Sequence, residues 1–127
     1  MQRTPDELNQ ITEKIIGCAY TVGNQLGTGF LEKVYENALA HELRKAGLVV
    51  HQQHPIDVVY DGVLVGEFVA DLLVEDAVLV ELKAIKRIGD IHLAQCLNYL
   101  KATNRRVCLL LNFGHTKVQV KRVVRRF

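Results

Sequence analysis

The sequence predicts a domain of the α/β (α+β) class, in which a mixed β-sheet is flanked by helices in the order ααβββαββ. Three observations support this prediction. Apolar residues recur at helical spacing over residues 1–46, an extended pattern broken by two tight turns follows, and a further helical stretch precedes two last strands. The length of 127 residues, with 49% hydrophobic residues, fits a single domain covering residues 1–127.

Both N-terminal helices have recognisable ends. The first is predicted over Pro5 to Leu26, because Thr4 is a typical N-cap and acidic residues occupy the first turn. Gly27-Thr28-Gly29 interrupts the pattern, and a second helix follows from about Phe30 to Ala46, with Gly47 as its C-cap. The face of the second helix that we expect to be buried consists of Leu31, Val34, Tyr35, Ala38, Leu39 and Leu43.

The remaining elements alternate between extended and helical patterns. Asp61-Gly62 is a strong hairpin signal, and Glu75-Asp76 forms a second tight turn. Three strands joined by such short turns should form an antiparallel meander. The predicted elements are strands at Val49–Tyr60, Leu64–Val74 and Ala77–Ala84, a helix at Gly89–Ala102, and strands at Arg106–Asn112 and Lys117–Val124.

Several protein classes are excluded by composition. The apolar runs are far shorter than the roughly 20 residues that a bilayer-spanning helix needs, so we expect no membrane segment. Acidic residues occupy the N-terminal stretch where a signal peptide has its apolar region. Cys18, Cys96 and Cys108 are odd in number and lack CxxC spacing, which is typical of reduced, buried thiols. We therefore expect a cytoplasmic protein.

Three charged residues interrupt the apolar second and third strands. Side chains alternate between the two faces of a strand, so Glu81 and Lys83 should point the same way, about 7 Å apart. The turn at Glu75-Asp76 should bring Asp71 beside Glu81. A buried Glu81–Lys83 ion pair is the structural explanation, but it leaves Asp71 uncompensated. A divalent cation such as Mg²⁺ or Mn²⁺ would neutralise the second acid, and we favour this interpretation.

These residues resemble the signature of the PD-(D/E)XK nuclease superfamily. Asp71 and Glu81-x-Lys83 correspond to its D…(D/E)xK pattern on adjacent hairpin strands. Val69-Ala70 stands where the proline that names the superfamily would precede the aspartate.

Two further motifs narrow the resemblance. Gly29 to Tyr35, with Glu32 at its centre, is similar to the motif of the GxxExxY protein family, a branch of that superfamily. Gln95 to Tyr99 resembles the QxxxY helix of its exonuclease-like members. The likeness covers roughly residues 8–124 and implies a restriction-endonuclease-like core.

The resemblance also implies a function. It points to a metal-dependent nuclease that hydrolyses phosphodiester bonds, and we expect DNA in preference to RNA as its substrate. With few aromatic residues for stacking, so small a chain should have little sequence specificity unless a partner provides it. The acids would bind Mg²⁺ or Mn²⁺, the lysine would assist the attacking water, and the glutamine and tyrosine would position the scissile strand. The implied site residues are Glu32, Asp71 and Glu81 as catalytic and metal-binding acids, with Lys83, Gln95 and Tyr99 as further catalytic residues.

Charge is distributed unevenly along the chain. Residues 1–100 hold eight basic and fourteen acidic residues, a net charge of −6, whereas residues 101–127 hold eight basic residues and no acid. Such a basic segment favours a polyanionic partner. We expect nucleic-acid binding by Lys121, Arg122, Arg125 and Arg126. Charges that merely keep an edge strand soluble are the alternative.

Two rival functions stay open at this stage. The chain could be a non-catalytic module that binds nucleic acid or protein on a nuclease fold. It could instead use the same carboxylate-metal site on a small nucleotide phosphate, although the basic segment favours a long polyanion. A homodimer or a protein partner also stays open.

Overall fold

The computed structural model describes residues 3–125 and has the predicted element order. Every boundary agrees within two residues with the one expected from the sequence. The three cysteines are free, and two of them are buried. The elements are α1 (Pro5–Leu26), α2 (Glu32–Lys45), β1 (Val50–Tyr60), β2 (Val63–Val74), β3 (Val78–Lys83), α3 (Asp90–Thr103), β4 (Val107–Asn112) and β5 (Gln119–Val124).

The five strands form one mixed sheet in the order β1-β2-β3-β4-β5. The first three strands pair antiparallel, which confirms the meander. β3 and β4 pair parallel, with Glu81 opposite Leu110, and α3 makes the crossover that a parallel pair requires. β5 then returns antiparallel to β4 and forms an edge of the sheet.

Helices cover the sheet on both faces. α1 and α2 pack on one face around Ile15, Leu39 and Val80, and we call this the first core. α3 packs on the other face around Leu79 and Leu100, and we call this the second core. β3 and β4 are buried on both faces, which explains their continuous apolar runs.

The start of α2 differs from the prediction. The helix begins at Glu32 rather than Phe30, because the turn before it is held by Tyr35: its hydroxyl donates to the Gly27 carbonyl at 2.6 Å and accepts from the Phe30 N–H at 3.2 Å. Leu31, which we expected in the core, precedes the helix and is 81% exposed.

Val34 and Ala38 also depart from the predicted buried face of α2. Val34 is exposed and Ala38 is only half-buried against the first core. Glu36 and Ala40 are buried on this helix instead. Within residues 3–125, no helix is both long enough and apolar enough to cross a membrane.

Candidate active site

Asp71 and Glu81 exchange hydrogen bonds with each other's strand. The backbone N–H of Asp71 donates to Glu81 Oε1 at 3.0 Å. The backbone N–H of Leu82 donates to Asp71 Oδ2 at 2.8 Å. Regular β2–β3 pairing ends at Leu72 opposite Val80, so the two carboxylates bind backbone groups beyond the end of the ladder. The structure therefore brings the two acids together, as the hairpin predicted.

A change of side-chain direction in β2 creates this arrangement. Residues two apart on a regular strand share a face. Leu72 nevertheless packs in the first core and Ala70 in the second. The reversal falls at Asp71, the residue between them. On β1, Gln53 lies opposite this point, between the pairs Gln52–Leu72 and His54–Ala70, and its backbone has φ of 55°. Both strands are therefore irregular at the position of the site.

The surroundings of the two carboxyl groups disfavour their charged forms. Burial raises the pKa of Glu81 to about 8, and the nearby Asp71 carboxylate contributes to this shift. Burial also raises the pKa of Asp71, and the acids Glu36 and Glu32 add to this shift. The hydrogen bond from Leu82 and the charge of Lys83 act in the opposite direction without cancelling it.

Lys83 lies at the end of β3, half-buried, on the same strand as Glu81. Its charge lowers the pKa of both Asp71 and Glu81, so its ammonium group is near both carboxylates. Among the acids of residues 3–125, none forms an ion pair with Lys83 within 4.0 Å. The close Glu81–Lys83 pair of the structural explanation is thus not formed.

Glu32, at the start of α2, reaches the end of β3. Its Oε2 accepts a hydrogen bond from the backbone N–H of Ala84 at 3.4 Å. Its charge is one cause of the raised pKa of Asp71 and of Glu81. Tyr35, in the same motif, stacks on Phe113 with ring centroids 4.7 Å apart, and this contact packs the start of α2 against the first core.

Glu36 is a buried acid that the sequence analysis missed. It is 3% exposed, and its carboxylate accepts from Gln53 at 2.6 Å, from Gln52 at 2.7 Å and from Lys33 at 3.1 Å. Gln53 also lies 3.5 Å from Asp71 Oδ1. A signal was present, because Glu36 has helical spacing to Leu39 and its buried neighbours. This cluster connects α2 to the acid on β2.

Gln95 and Tyr99 pair on α3, facing β2. Gln95 Nε2 lies 2.9 Å from the Tyr99 hydroxyl, which donates to the Val69 carbonyl at 3.3 Å. Burial raises the pKa of Tyr99 to about 12, and the carboxylates of Glu81 and Asp71 add to the shift. The pair therefore lies beside the two acids and also anchors α3 to the sheet.

The loop from Ala84 to Gly89, directly after Lys83, is held by a second residue that the sequence analysis missed. The fully buried Asn112 accepts from the Ile85 N–H at 3.0 Å and donates to the Ile85 carbonyl at 2.9 Å. Gly114 approaches the loop so closely that a Cβ there would lie 2.0 Å from the Ile85 oxygen. The signal was a lone amide ending an apolar strand.

The predicted nucleic-acid-binding residues are not gathered at the acids. Lys121 and Arg122 are neighbours on β5, so their side chains leave opposite faces of the sheet. Arg122 bonds Thr12 on α1 at 3.4 Å, and Arg125 bonds Asn104 after α3 at 3.0 Å. Arg126 lies outside the described residues.

Asp71 and Glu81 are suitable donors for a divalent cation. Within residues 3–125, no group of three or more His, Cys, Asp or Glu is close enough to hold a metal ion. Mg²⁺ is commonly held by one or two carboxylates while it keeps several waters, so this donor pair fits it. The pKa values of both acids are raised, chiefly by burial, and a bound divalent cation would favour the ionised form of both carboxyl groups.

Similar solved structures include an alkaline exonuclease from Laribacter hongkongensis. It has 17% identity and a TM-score of 0.54 over 99% of this chain and 73% of that chain. The same exonuclease in complex with dAMP has 15% identity and a TM-score of 0.51 over 91% and 83%. At these identities the likeness establishes the fold. No curated protein matches the chain in sequence.

A family model gives the stronger result. The model described as PD-(D/E)XK nuclease superfamily matches residues 9–123, which is most of the chain and includes every element from α1 to β5 in whole or in part. The match spans Glu32, Asp71, Glu81 and Lys83. The chain therefore belongs to the PD-(D/E)XK nuclease superfamily.

Proposed function

We propose that this protein is a nuclease that hydrolyses phosphodiester bonds of nucleic acid with Mg²⁺ or Mn²⁺, as a member of the GxxExxY branch. The observation that carries the proposal is the exchange of hydrogen bonds between Asp71 and Glu81 at the end of the β2–β3 ladder. The buried Glu81 and the half-buried Asp71, both with raised pKa values, destabilise the folded protein unless they serve a ligand.

Each proposed catalytic residue has a role consistent with its position. Asp71 and Glu81 would hold the metal, with Glu32 as a further acid near the end of β3. The metal, when bound, supplies Lewis-acid activation of the phosphate and of water. Lys83 would orient the attacking water. It would also stabilise the negative charge on the phosphoryl oxygens while the water oxygen bonds to phosphorus and the P–O bond to the leaving nucleoside oxygen breaks.

Gln95 and Tyr99 would position the scissile strand. Gln95 donates to the Tyr99 hydroxyl, and that hydroxyl donates to the Val69 carbonyl, so the two side chains support each other against β2. Lys121, Arg122, Arg125 and Arg126 would add sequence-independent affinity for phosphates away from the reaction centre. DNA is the preferred substrate in this proposal, since one similar structure is an exonuclease with a bound deoxynucleotide, dAMP.

A cleavage assay with isosteric variants tests the proposal. Wild-type protein is incubated with plasmid, linear duplex and single-stranded oligonucleotides in Mn²⁺, Mg²⁺ or EDTA. We expect cleavage only with the metal, and its loss in Asp71→Asn and in Glu81→Gln. Glu67→Gln, an exposed acid on the same hairpin, is the matched control and should cleave like wild type.

Two results would contradict the proposal. One is metal-independent cleavage, and the other is the absence of cleavage by wild-type protein that binds the same oligonucleotides. The second result would support the non-catalytic binding module instead. Calorimetry with Mn²⁺ separates the two steps, because the asparagine and glutamine variants should lose metal binding whether or not turnover occurs.

A further inference from the structure

A groove of ≈ 340 Å³ opens between β2 and the exposed side of α3. Phe68 forms one wall, and Ile91, Gln95, Asn98 and Tyr99 from α3 form the other. Its volume is at the lower end of the range for small-ligand sites, about 300–1,000 Å³. The sequence motifs account for Gln95 and Tyr99 but leave the other lining residues without a role.

The lining offers an aromatic ring, an aliphatic edge and amides, and it contains no carboxylate, lysine or arginine among the described residues. Phe68 is 40% exposed, although its ring centroid lies 5.8 Å from that of Tyr99. Ile91 is 77% exposed. His92 lines the groove but uses Nδ1 to accept from the Gly89 N–H at 3.0 Å. Such a surface suits an uncharged, planar, hydrogen-bonding ligand rather than a phosphate.

The groove adjoins the two acids. Tyr99 connects the groove to the acids: it lines the groove, and its hydroxyl donates to the carbonyl of Val69, two residues before Asp71. The exposed cations Lys86 and Arg87 lie in the loop before α3, whose first turn contributes Ile91 to the groove. A nucleic-acid strand with a phosphate near Asp71 would thus lie next to the groove. Lys86 and Arg87 would add positive charge in the loop before α3.

We propose that this groove binds an unpaired nucleobase of the substrate strand, stacked on Phe68 and hydrogen-bonded by the amide of Asn98. The inference rests on the proposed nuclease function and narrows its substrate class to strands with an unstacked nucleotide beside the scissile phosphate. A base inside a duplex is not free to enter such a groove, so single-stranded regions or frayed ends would be favoured.

The chain has no tryptophan, which makes a direct test available. Phe68→Trp introduces a single indole at the groove wall, and it can be excited at a wavelength at which the four tyrosines do not absorb. In EDTA, where no cleavage is expected, titration with single-stranded oligodeoxyadenylate should quench its emission, because the base stacks on the indole. Tyr60→Trp, at the hairpin tip and 73% exposed in the native residue, is the matched control and should not respond.

Three further variants measure the contribution of the groove to affinity. Phe68→Ala should weaken oligodeoxyadenylate binding in EDTA by about 5- to 150-fold, the range that one base–aromatic stack supplies. Asn98→Ala, at an exposed helix position, should weaken it less and keep the fold. Phe68→Leu preserves apolar packing if the alanine variant unfolds, and it should still lose the stacking.

The outcomes separate this inference from the proposed function. Quenching of Phe68→Trp, together with no cleavage by wild-type protein, would support base binding in the groove and contradict the nuclease function. Cleavage with unchanged affinity in Phe68→Leu and Asn98→Ala, or an equal response of Tyr60→Trp, would overturn the groove and keep the nuclease. Quenching of Phe68→Trp by deoxyadenosine, which has no phosphate, would show that the base alone is recognised. If the groove bound a protein partner and no oligonucleotide, base binding would be contradicted.

Discussion

Gln53 donates to the buried carboxylate of Glu36 at 2.6 Å from a backbone with φ of 55°. That conformation costs a residue with a Cβ roughly 1–2 kcal/mol, whereas glycine adopts it freely. The same amide nitrogen lies 3.5 Å from Asp71 Oδ1. The strained backbone of Gln53 therefore places its side-chain amide between Glu36 of α2 and Asp71 of the candidate site.

The first prediction separates that strain from the amide contact. Gln53→Gly and Gln53→Ala both remove the amide, but only glycine relieves the left-handed backbone. We expect the glycine variant to be more stable than the alanine variant by about 1 kcal/mol, measured by urea denaturation. Both should lose Mn²⁺ affinity to the same extent. A glycine variant less stable than the alanine variant would show that the strain is absent in solution.

The second prediction concerns pH and the metal-free protein. Because the pKa of Glu81 is raised to about 8, the unfolded state releases this proton near pH 4.5 and the folded state releases it only near pH 8. The unfolded state thus binds fewer protons in this window, so stability should fall as pH rises, by at most about 1.4 kcal/mol per pH unit. The raised pKa of Asp71 acts in the same direction.

The pH effect is measured by comparing the stability of wild type and Glu81→Gln. The glutamine cannot titrate, but its amide oxygen can still accept from the Asp71 N–H. The stability difference between wild type and this variant should change across pH 4.5 to 8 and be constant above it. Mn²⁺ should raise the Tm of wild type at about pH 8 and leave that of Glu81→Gln unchanged. A wild-type stability profile parallel to that of the variant would refute the raised pKa.

The third prediction uses Lys83→Met, which keeps the aliphatic stem and removes the charge. Since Lys83 forms no close ion pair with the acids of residues 3–125, stability should change by far less than the roughly 3–5 kcal/mol of a broken buried pair. Metal binding should persist or tighten, because a nearby cation is gone. Cleavage should fall by about two orders of magnitude or more. Strong destabilisation with unchanged cleavage would return Lys83 to a structural role.

The fourth prediction concerns the basic segment. Replacing Lys121 and Arg122 by glutamine should lower the slope of log affinity against log salt by up to about 0.9 for each duplex phosphate that the protein no longer neutralises. The residues leave opposite faces of β5, so we expect one of the two single variants to account for most of the change. Lys14→Gln, an exposed cation on α1, is the control. Equal slopes in all variants would mean that these charges only keep the edge strand soluble.

Much of this protein follows from local patterns. The element order was predictable because helical and strand periodicities are properties of a few consecutive residues, and Thr4 and Pro5 mark the start of α1 without reference to anything distant. The meeting of Asp71 with Glu81 was predictable for a similar reason. A tight turn fixes the register of a hairpin, and the register fixes which side chains are neighbours.

Other features depend on contacts between segments far apart in the chain. Glu36 is buried because Gln52 and Gln53, on a strand after the helix, supply the donors that an interior carboxylate needs. Leu31 is exposed because the Tyr35 hydroxyl holds the preceding turn and delays the start of α2. No local periodicity contains these partners.

The irregularity of β2 at Asp71 shows most clearly what a strand's residue pattern does not predict. The alternation rule predicts one face for Ala70 and Leu72, and the structure places them in different cores. The reversal requires a matching distortion at Gln53 on the neighbouring strand, and the carboxylates then bind the backbone groups that the ladder no longer pairs. Two strands must deform together for that to happen, so the geometry of the site is a property of the packed sheet and not of either strand's residue pattern.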